Sequence, residues 1–252
     1  MAKMDKSPVE QLLENSIVPL QIFYKQVCGL PDDDKLGYKT YLNVNSMEAG
    51  VLAPDDYRFV AKRTVQCEQL AEKNITKVMR ILHNSKADNI KGWISIQVPD
   101  RMMKGGKLLD ILTTLIRRYP LANVSQLCLE FNSDLFFESF DLMKEELVKV
   151  KDLGLKIAIN EVGTDFFPLM KLQQVPVDIV FLDKGINENL DTETEEKTVG
   201  SLVQFLMRLN VQIIATNLPD EKKKGAERVG CTGYCKIDYD GIFPPRTETE
   251  ED

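Results

Sequence analysis

The sequence predicts an α/β fold, a TIM-like (β/α)8 barrel with an antiparallel first strand. Eight apolar, strand-like runs can be counted, and the later ones alternate with stretches of helical periodicity, the pattern of strands returning in parallel through helical crossovers. A chain of 252 residues with 43% hydrophobic content is the size of one such barrel. The first two runs are separated only by the turn GLPDDDK (29–35), too short for a crossover, so they pair antiparallel. No internal repeat or low-complexity linker divides the chain.

Residues 1–16 read as a polar lead-in in which Pro8 can start a short helix, 17–245 as a single domain, and the acidic 246–252 as a disordered tail. Strands are expected over 17–27 and 36–44. Pro54 opens a helix that continues through Val65 and Leu70 and, after a break, through Ile75, Val78, Met79 and Leu82. Strand 93–98, helix 108–116 and strand 127–131 follow. A helix over 140–153 is closed by Gly154. Strand 155–159, helix 165–173 and strand 177–183 form a unit with about twenty-five residues from strand to strand, long enough for a parallel crossover. The acidic run at 191–196 suits a helix N-terminus and leads into apolar positions 199–209; strand 211–215, helix 219–229 and strand 231–237 complete the order.

The net charge of −7 argues against general nucleic-acid binding, which needs a basic surface. The five cysteines contain no CxxC pair, and Cys231 and Cys235 have no histidine or second pair beside them, so zinc is not expected and a reduced, cytoplasmic protein is. No apolar stretch reaches the roughly twenty residues of a membrane span, and the first residues lack the apolar core of a signal peptide. His83, the only histidine, stands near a helix end, where a capping role outweighs catalysis.

Six short motifs then occur in one order: GVLAPDDYRFVAK (50–62), LEF (129–131), GLKIAINEVGT (154–164), VPVDIVFLD (175–183), IATN (214–217) and GC (230–231). Together they resemble the EAL domain, the bacterial cyclic di-GMP phosphodiesterase family, over about residues 17–245. The resemblance implies a barrel with its site at the carboxyl ends of the strands. Active members hydrolyse one phosphodiester bond of cyclic di-GMP there with two divalent metals.

Carried over residue by residue, the resemblance places the family's signature glutamate at Lys39, the amide ligand of the third strand at Gln97 and the fourth-strand glutamate at Glu130. The aspartate pair falls on Asn160 and Glu161, the lysine on Phe181, and the following aspartate is kept as Asp183. The glutamate after strand seven falls on Thr216 and the late glutamine on Cys235. Of the groups that meet metal, water or phosphate, Glu130 alone is unchanged. An ammonium at Lys39 would repel a unit charge at ~4 Å by about 4 kcal/mol at an effective dielectric near 20, and a dication twice as strongly. Magnesium or manganese binding is therefore expected to be lost. The vestigial site leaves room for one sharp expectation, an ion pair of Lys39 with Glu130 or Glu161 in place of the metal.

Three ligand-facing positions also depart from the resemblance: Tyr41 replaces a leucine, Asn43 a phosphate-binding arginine, and Lys62 an acidic residue. An amide does not restore a bidentate arginine contact, so cyclic di-GMP binding is not expected. The reading reached is a catalytically inactive EAL-like domain that acts as a regulatory or scaffold protein through an unidentified protein partner in bacterial signalling, with self-pairing through the region of Phe166 and Phe167 left open. The alternatives are a non-hydrolysing receptor for cyclic di-GMP or another anionic nucleotide, and a residual phosphodiesterase.

Overall fold

The computed structural model describes residues 20–46, 50–52, 66–84, 90–136, 140–163, 167–188, 190 and 193–245. The expected lead-in, the helix start at Pro54, Lys62, Phe166 and the acidic tail lie outside them. The strands are β1 (Leu20–Gly29), β2 (Lys35–Ser46), β3 (Gly50–Leu52), β4 (Trp93–Gln97), β5 (Leu127–Asn132), β6 (Lys156–Val162), β7 (Ile179–Leu182), β8 (Gln212–Ala215), β9 (Gly233–Cys235) and β10 (Gly241–Ile242). The helices are α1 (Gln66–Asn84), α2 (Lys107–Arg118), α3 (Phe140–Asp152), α4 (Leu169–Leu172), α5 (Lys184–Glu188), α6 (Glu193–Met207) and α7 (Lys223–Val229).

Strands β1, β2, β4, β5, β6, β7, β8 and β9 close a barrel, because β1 pairs with both β2 and β9. Both of those pairings are antiparallel, while β2, β4, β5, β6, β7, β8 and β9 are parallel to one another around the wall. The expected fold is therefore present, together with two short strands that the sequence reading did not anticipate. These are β3 on β2 and β10 on β1, which widen the sheet where β1 and β2 rise past the barrel wall.

Alternation along the strands produces two apolar layers, since successive side chains point to opposite faces. One set lies inside the barrel: Val27, Trp93, Cys128, Ala158, Ile179, Phe181, Ile214 and Cys235. The other fills the space between wall and helices, with Leu129 and Phe131 of β5, and Ile157 and Ile159 of β6, meeting helical residues such as Val78, Leu112 and Leu147. At the bottom of the barrel the Trp93 indole N–H donates to Gln212 Oε1 at 2.9 Å, so the one polar atom of a buried ring is satisfied. Gly37 is what lets β2 approach this ring, since a Cβ there would come within 2.4 Å of the Trp93 carbonyl oxygen.

Several boundaries differ from expectation. Helix α1 is unbroken from 66 to 84, because Ala71, Ile75, Val78, Met79 and Leu82 form one continuous buried stripe across the polar pair Lys73 and Asn74. Strand β6 runs on to Val162 through an irregularity in its pairing with β7 between Ile159 and Val162. Within the described part of 165–173 the helix is only Leu169–Leu172, and the last barrel strand is only Gly233–Cys235.

Candidate functional site

At the carboxyl ends of the parallel strands a cavity of about 210 Å³ opens, lined by side chains from β1, β2, β4, β6 and β7 and from the segments following β7, β8 and β9. Below it, inside the barrel, lies a buried polar cluster. Glu130 on β5 is 1% exposed and Lys39 on β2 is 4% exposed, and the Lys39 Nζ to Glu130 Oε1 distance is 2.7 Å. The ion pair expected at Lys39 is thus formed with Glu130. Its second acceptor is an amide, Asn160 Oδ1 at 3.1 Å, and the ammonium lies 3.7 Å from the centroid of the Phe181 ring. Two hydrogen bonds and a cation–π contact surround this buried cation, which desolvation would otherwise penalise heavily.

The carboxylate is equally engaged. Glu130 Oε1 also accepts from Gln97 Nε2 at 3.2 Å, and Oε2 accepts from Ser95 Oγ at 3.1 Å. The register explains the convergence. Lys39 is opposite Ser95 across β2 and β4, Gln97 opposite Glu130 across β4 and β5, and Asn160 is two residues beyond the partner of Glu130 on β6.

Above the cluster, Lys25 Nζ donates to Asn217 Oδ1 at 2.8 Å and lies 5.5 Å and 5.3 Å from the ring centroids of Tyr41 and Tyr239, which meet edge to face. Thr216 Oγ1 donates to the Leu182 carbonyl at 2.6 Å, and Asp183 Oδ1 accepts from the Gly185 N–H at 2.8 Å. Two lining residues hold left-handed backbone, Glu161 at φ 58° and Asn217 at φ 51°. Asn adopts that region readily; for Glu it is uncommon, and it falls at the irregularity that ends β6.

The cavity therefore gathers Lys39, Tyr41, Gln97, Asn160, Glu161, Asp183 and Thr216 from the residues expected at the site. Glu130 lies directly beneath. Phe181 and Cys235 belong to the apolar layer inside the barrel beneath the cavity: the Phe181 ring meets the Lys39 ammonium from there, and burial pushes the Cys235 thiol up, so it is held neutral. Asn43 is not among the lining residues; it is 4% exposed, and its Oδ1 has no hydrogen-bond partner. Lys25, Ser95, Lys184, Asn217 and Tyr239 were missed. Ser95 carries a usable signal, since it stands two residues from the expected site residue Gln97 on the same strand.

No group of three or more His, Cys, Asp or Glu side chains among the described residues is placed to hold a metal ion. No helix among the described residues is long and apolar enough to cross a membrane.

Compared with known proteins, residues 11–232 match the EAL domain. The chain belongs to the EAL domain family. It is 21% identical over 198 residues to a cyclic di-GMP phosphodiesterase of Pseudomonas aeruginosa, an alignment covering 78% of this chain and 34% of that protein. It is also 21% identical over 215 residues to the bifunctional diguanylate cyclase/cyclic di-GMP phosphodiesterase MucR of the same organism, covering 84% and 31%. The chain spans about a third of the length of these relatives. Among solved structures, the FimX EAL domain from Pseudomonas aeruginosa bound to cyclic di-GMP superposes with a TM-score of 0.80 at 15% identity, over 93% of this chain and 99% of that one. At these identities the structural likeness establishes the fold.

Proposed function

We propose that this chain is a catalytically inactive EAL domain that serves cyclic di-GMP signalling in bacteria as a regulatory or scaffold protein, by binding another protein. One observation carries the reading: the Lys39 ammonium is seated against Glu130 at 2.7 Å, with the other carboxylate oxygen bound by Ser95. Two-metal hydrolysis needs carboxylates whose lone pairs are free to coordinate, and a bound water made acidic. The donors described here do not fit that demand. The carboxylate at the centre is committed to a cation and two neutral donors, its neighbour on β6 is the amide Asn160, and an apolar ring stands at 181. Incubation with cyclic di-GMP and magnesium or manganese should give no product; steady turnover would overturn the assignment.

A second reading, a receptor that binds an anionic nucleotide without cleaving it, has one observation in its favour: a mouth lined by Lys25 with the rings of Tyr41 and Tyr239. Isothermal titration with cyclic di-GMP separates the two, since saturable heat at micromolar ligand supports the receptor. For the protein-binding reading, Leu142 and Met170 are 65% and 66% exposed at the starts of α3 and α4, on the mouth side of the barrel. Capture of partners from bacterial cells should recover a protein with the natural chain that is lost with a Leu142→Glu, Met170→Glu double variant.

A further inference from the structure

The end of the barrel opposite the mouth carries a local charge contrary to that of the whole chain. There α1 and α2 finish, and the segments 90–92 and 119–126 lead into β4 and β5. Gln126 Nε2 donates to the carbonyls of Ile90 and Gly92 at 2.6 and 3.2 Å, which ties the two segments together. His83 Nδ1 accepts the Leu121 N–H, and its ring lies 5.6 Å from that of Tyr119, so the last turn of α1 joins the same place. These elements carry Arg80, Lys91, Arg117 and Arg118, all exposed and none in an ion pair among the described residues. Segments 80–84, 90–92 and 117–126 contain no Asp or Glu, in a chain of net charge −7, and the intervening 85–89 add one lysine and one aspartate. Cations at helix C-termini are favourable in themselves, but Lys91 belongs to no helix.

Amid these cations stands an apolar tip. Leu121 is 75% exposed, the most of any large apolar side chain among the described residues, and it follows the exposed Pro120. Beside them is Tyr119, whose ring has the Arg118 guanidinium 5.6 Å from its centroid. The turn is fixed by its own hydrogen bonds: the Ala122 N–H donates to the Tyr119 carbonyl at 3.1 Å, and Asn123 Oδ1 accepts the Ser125 N–H at 3.2 Å. One exposed leucine is ordinary. A leucine held out on a fixed turn among four unpaired cations is the arrangement by which a peripheral protein meets an anionic bilayer, with cations at the headgroup phosphates and the apolar tip among the acyl chains. A polynucleotide or an acidic polypeptide would engage the cations and leave the leucine without an apolar medium. We propose that this end of the barrel docks on the anionic lipid headgroups of a membrane surface. The mouth then faces away from the membrane and stays open to a partner. This goes beyond the protein-binding reading and does not depend on it. The acidic turn at 32–34 lies at the same end, but Asp33 is held toward β9 and α7 by Tyr234 and Lys223, so the barrel meets the surface tilted onto its β4–β5 side.

The experiment is co-sedimentation of the full chain with vesicles of phosphatidylcholine, with and without phosphatidylglycerol. The chain should sediment with the phosphatidylglycerol vesicles at low salt, be released at high salt, and ignore pure phosphatidylcholine. A basic residue near an anionic surface is worth about five-fold in binding, so the double variant Arg117→Gln, Arg118→Gln should bind about 25-fold more weakly. Leu121→Ser, which leaves the charge unchanged, should weaken binding by about ten-fold. All three side chains are exposed, so the variants should keep the melting temperature of the natural chain. Leu121→Trp gives a direct readout: its emission should shift to the blue on phosphatidylglycerol vesicles, against a constant background from Trp93, the single tryptophan of the natural chain and 3% exposed. Failure of the natural chain to sediment with phosphatidylglycerol vesicles overturns the proposal, as does sedimentation that neither variant weakens. Binding that depends on the arginines but not on Leu121, and that is matched by duplex DNA or polyglutamate, also overturns it, because the cations would then serve a polyanion and not a bilayer.

Discussion

Lys39 and Glu130 form a pair in which each residue makes the other's burial tolerable. Lys39→Met should therefore leave Glu130 as a lone buried charge and cost about 3–5 kcal/mol, measured by urea unfolding, whereas adding Glu130→Gln should return much of that loss because no charge remains to solvate. A structure in which the pair contributes nothing would instead show equal, additive effects. This pairing was legible because the resemblance placed an ammonium among carboxylates, and such a charge needs a partner. The choice of Glu130 over Glu161 was not legible, because it depends on the strand register and on the left-handed turn at Glu161. Lys25 escaped notice for a related reason. On an antiparallel strand its inward direction is known only once β1 is aligned with β2, where Lys25 faces Lys39.

At the scale of elements, β2 and β4 owe their close approach to Gly37 packing on Trp93. Gly37→Ala forces a methyl to within 2.4 Å of backbone and 2.5 Å of the indole, and should destabilise the fold by about 1–3 kcal/mol or more, as overpacking does. The same indole gives the readout, because Trp93 is the single tryptophan and is 3% exposed, so its emission should shift to the red on unfolding. Helix α1 carries His83 in its last turn, and His83 Nδ1 accepts the Leu121 N–H at 3.2 Å, joining α1 to the turn that follows α2. A helix-end role for this residue was readable from position alone; its partner, 38 residues away, was not. The continuity of α1 was misjudged from sequence because the polar pair Lys73 and Asn74 interrupts composition without interrupting the buried stripe on either side.

For the molecule as a whole, the barrel was legible because strand count, crossover spacing and the short first turn all report on topology, which needs no side-chain detail. The mouth was only partly so, since β3, β10 and the segment carrying Tyr239 lack the periodicity of regular elements. Burial also gives the whole fold an alkaline limit. The Cys231 thiol is pushed up from 9.0 to about 12 and the Tyr234 hydroxyl from 10.0 to about 12, both chiefly by desolvation, and Cys128 is raised well above its ordinary value. Groups whose folded-state values are raised hold the proton more tightly when folded. Their contribution is complete below about pH 9 and is lost as pH rises toward about 12. Denaturant midpoints should fall between pH 8 and pH 11, and Cys231→Ala should flatten part of that fall.

The reversed direction of β1 also decides where the polypeptide enters and leaves. Leu20 pairs with Val44 at the upper end of β2, and β10 returns to Phe23 and Tyr24 beside it, so the incoming and outgoing chain both meet the barrel on the rim of the mouth. The opposite rim, with the β1–β2 turn and the entrances of the parallel strands, has neither. Leu20 and Ile242 therefore both stand on the side of the cavity, whereas a surface lysine or cysteine handle placed in the 30–34 turn stands at the far end of the barrel and leaves the mouth open.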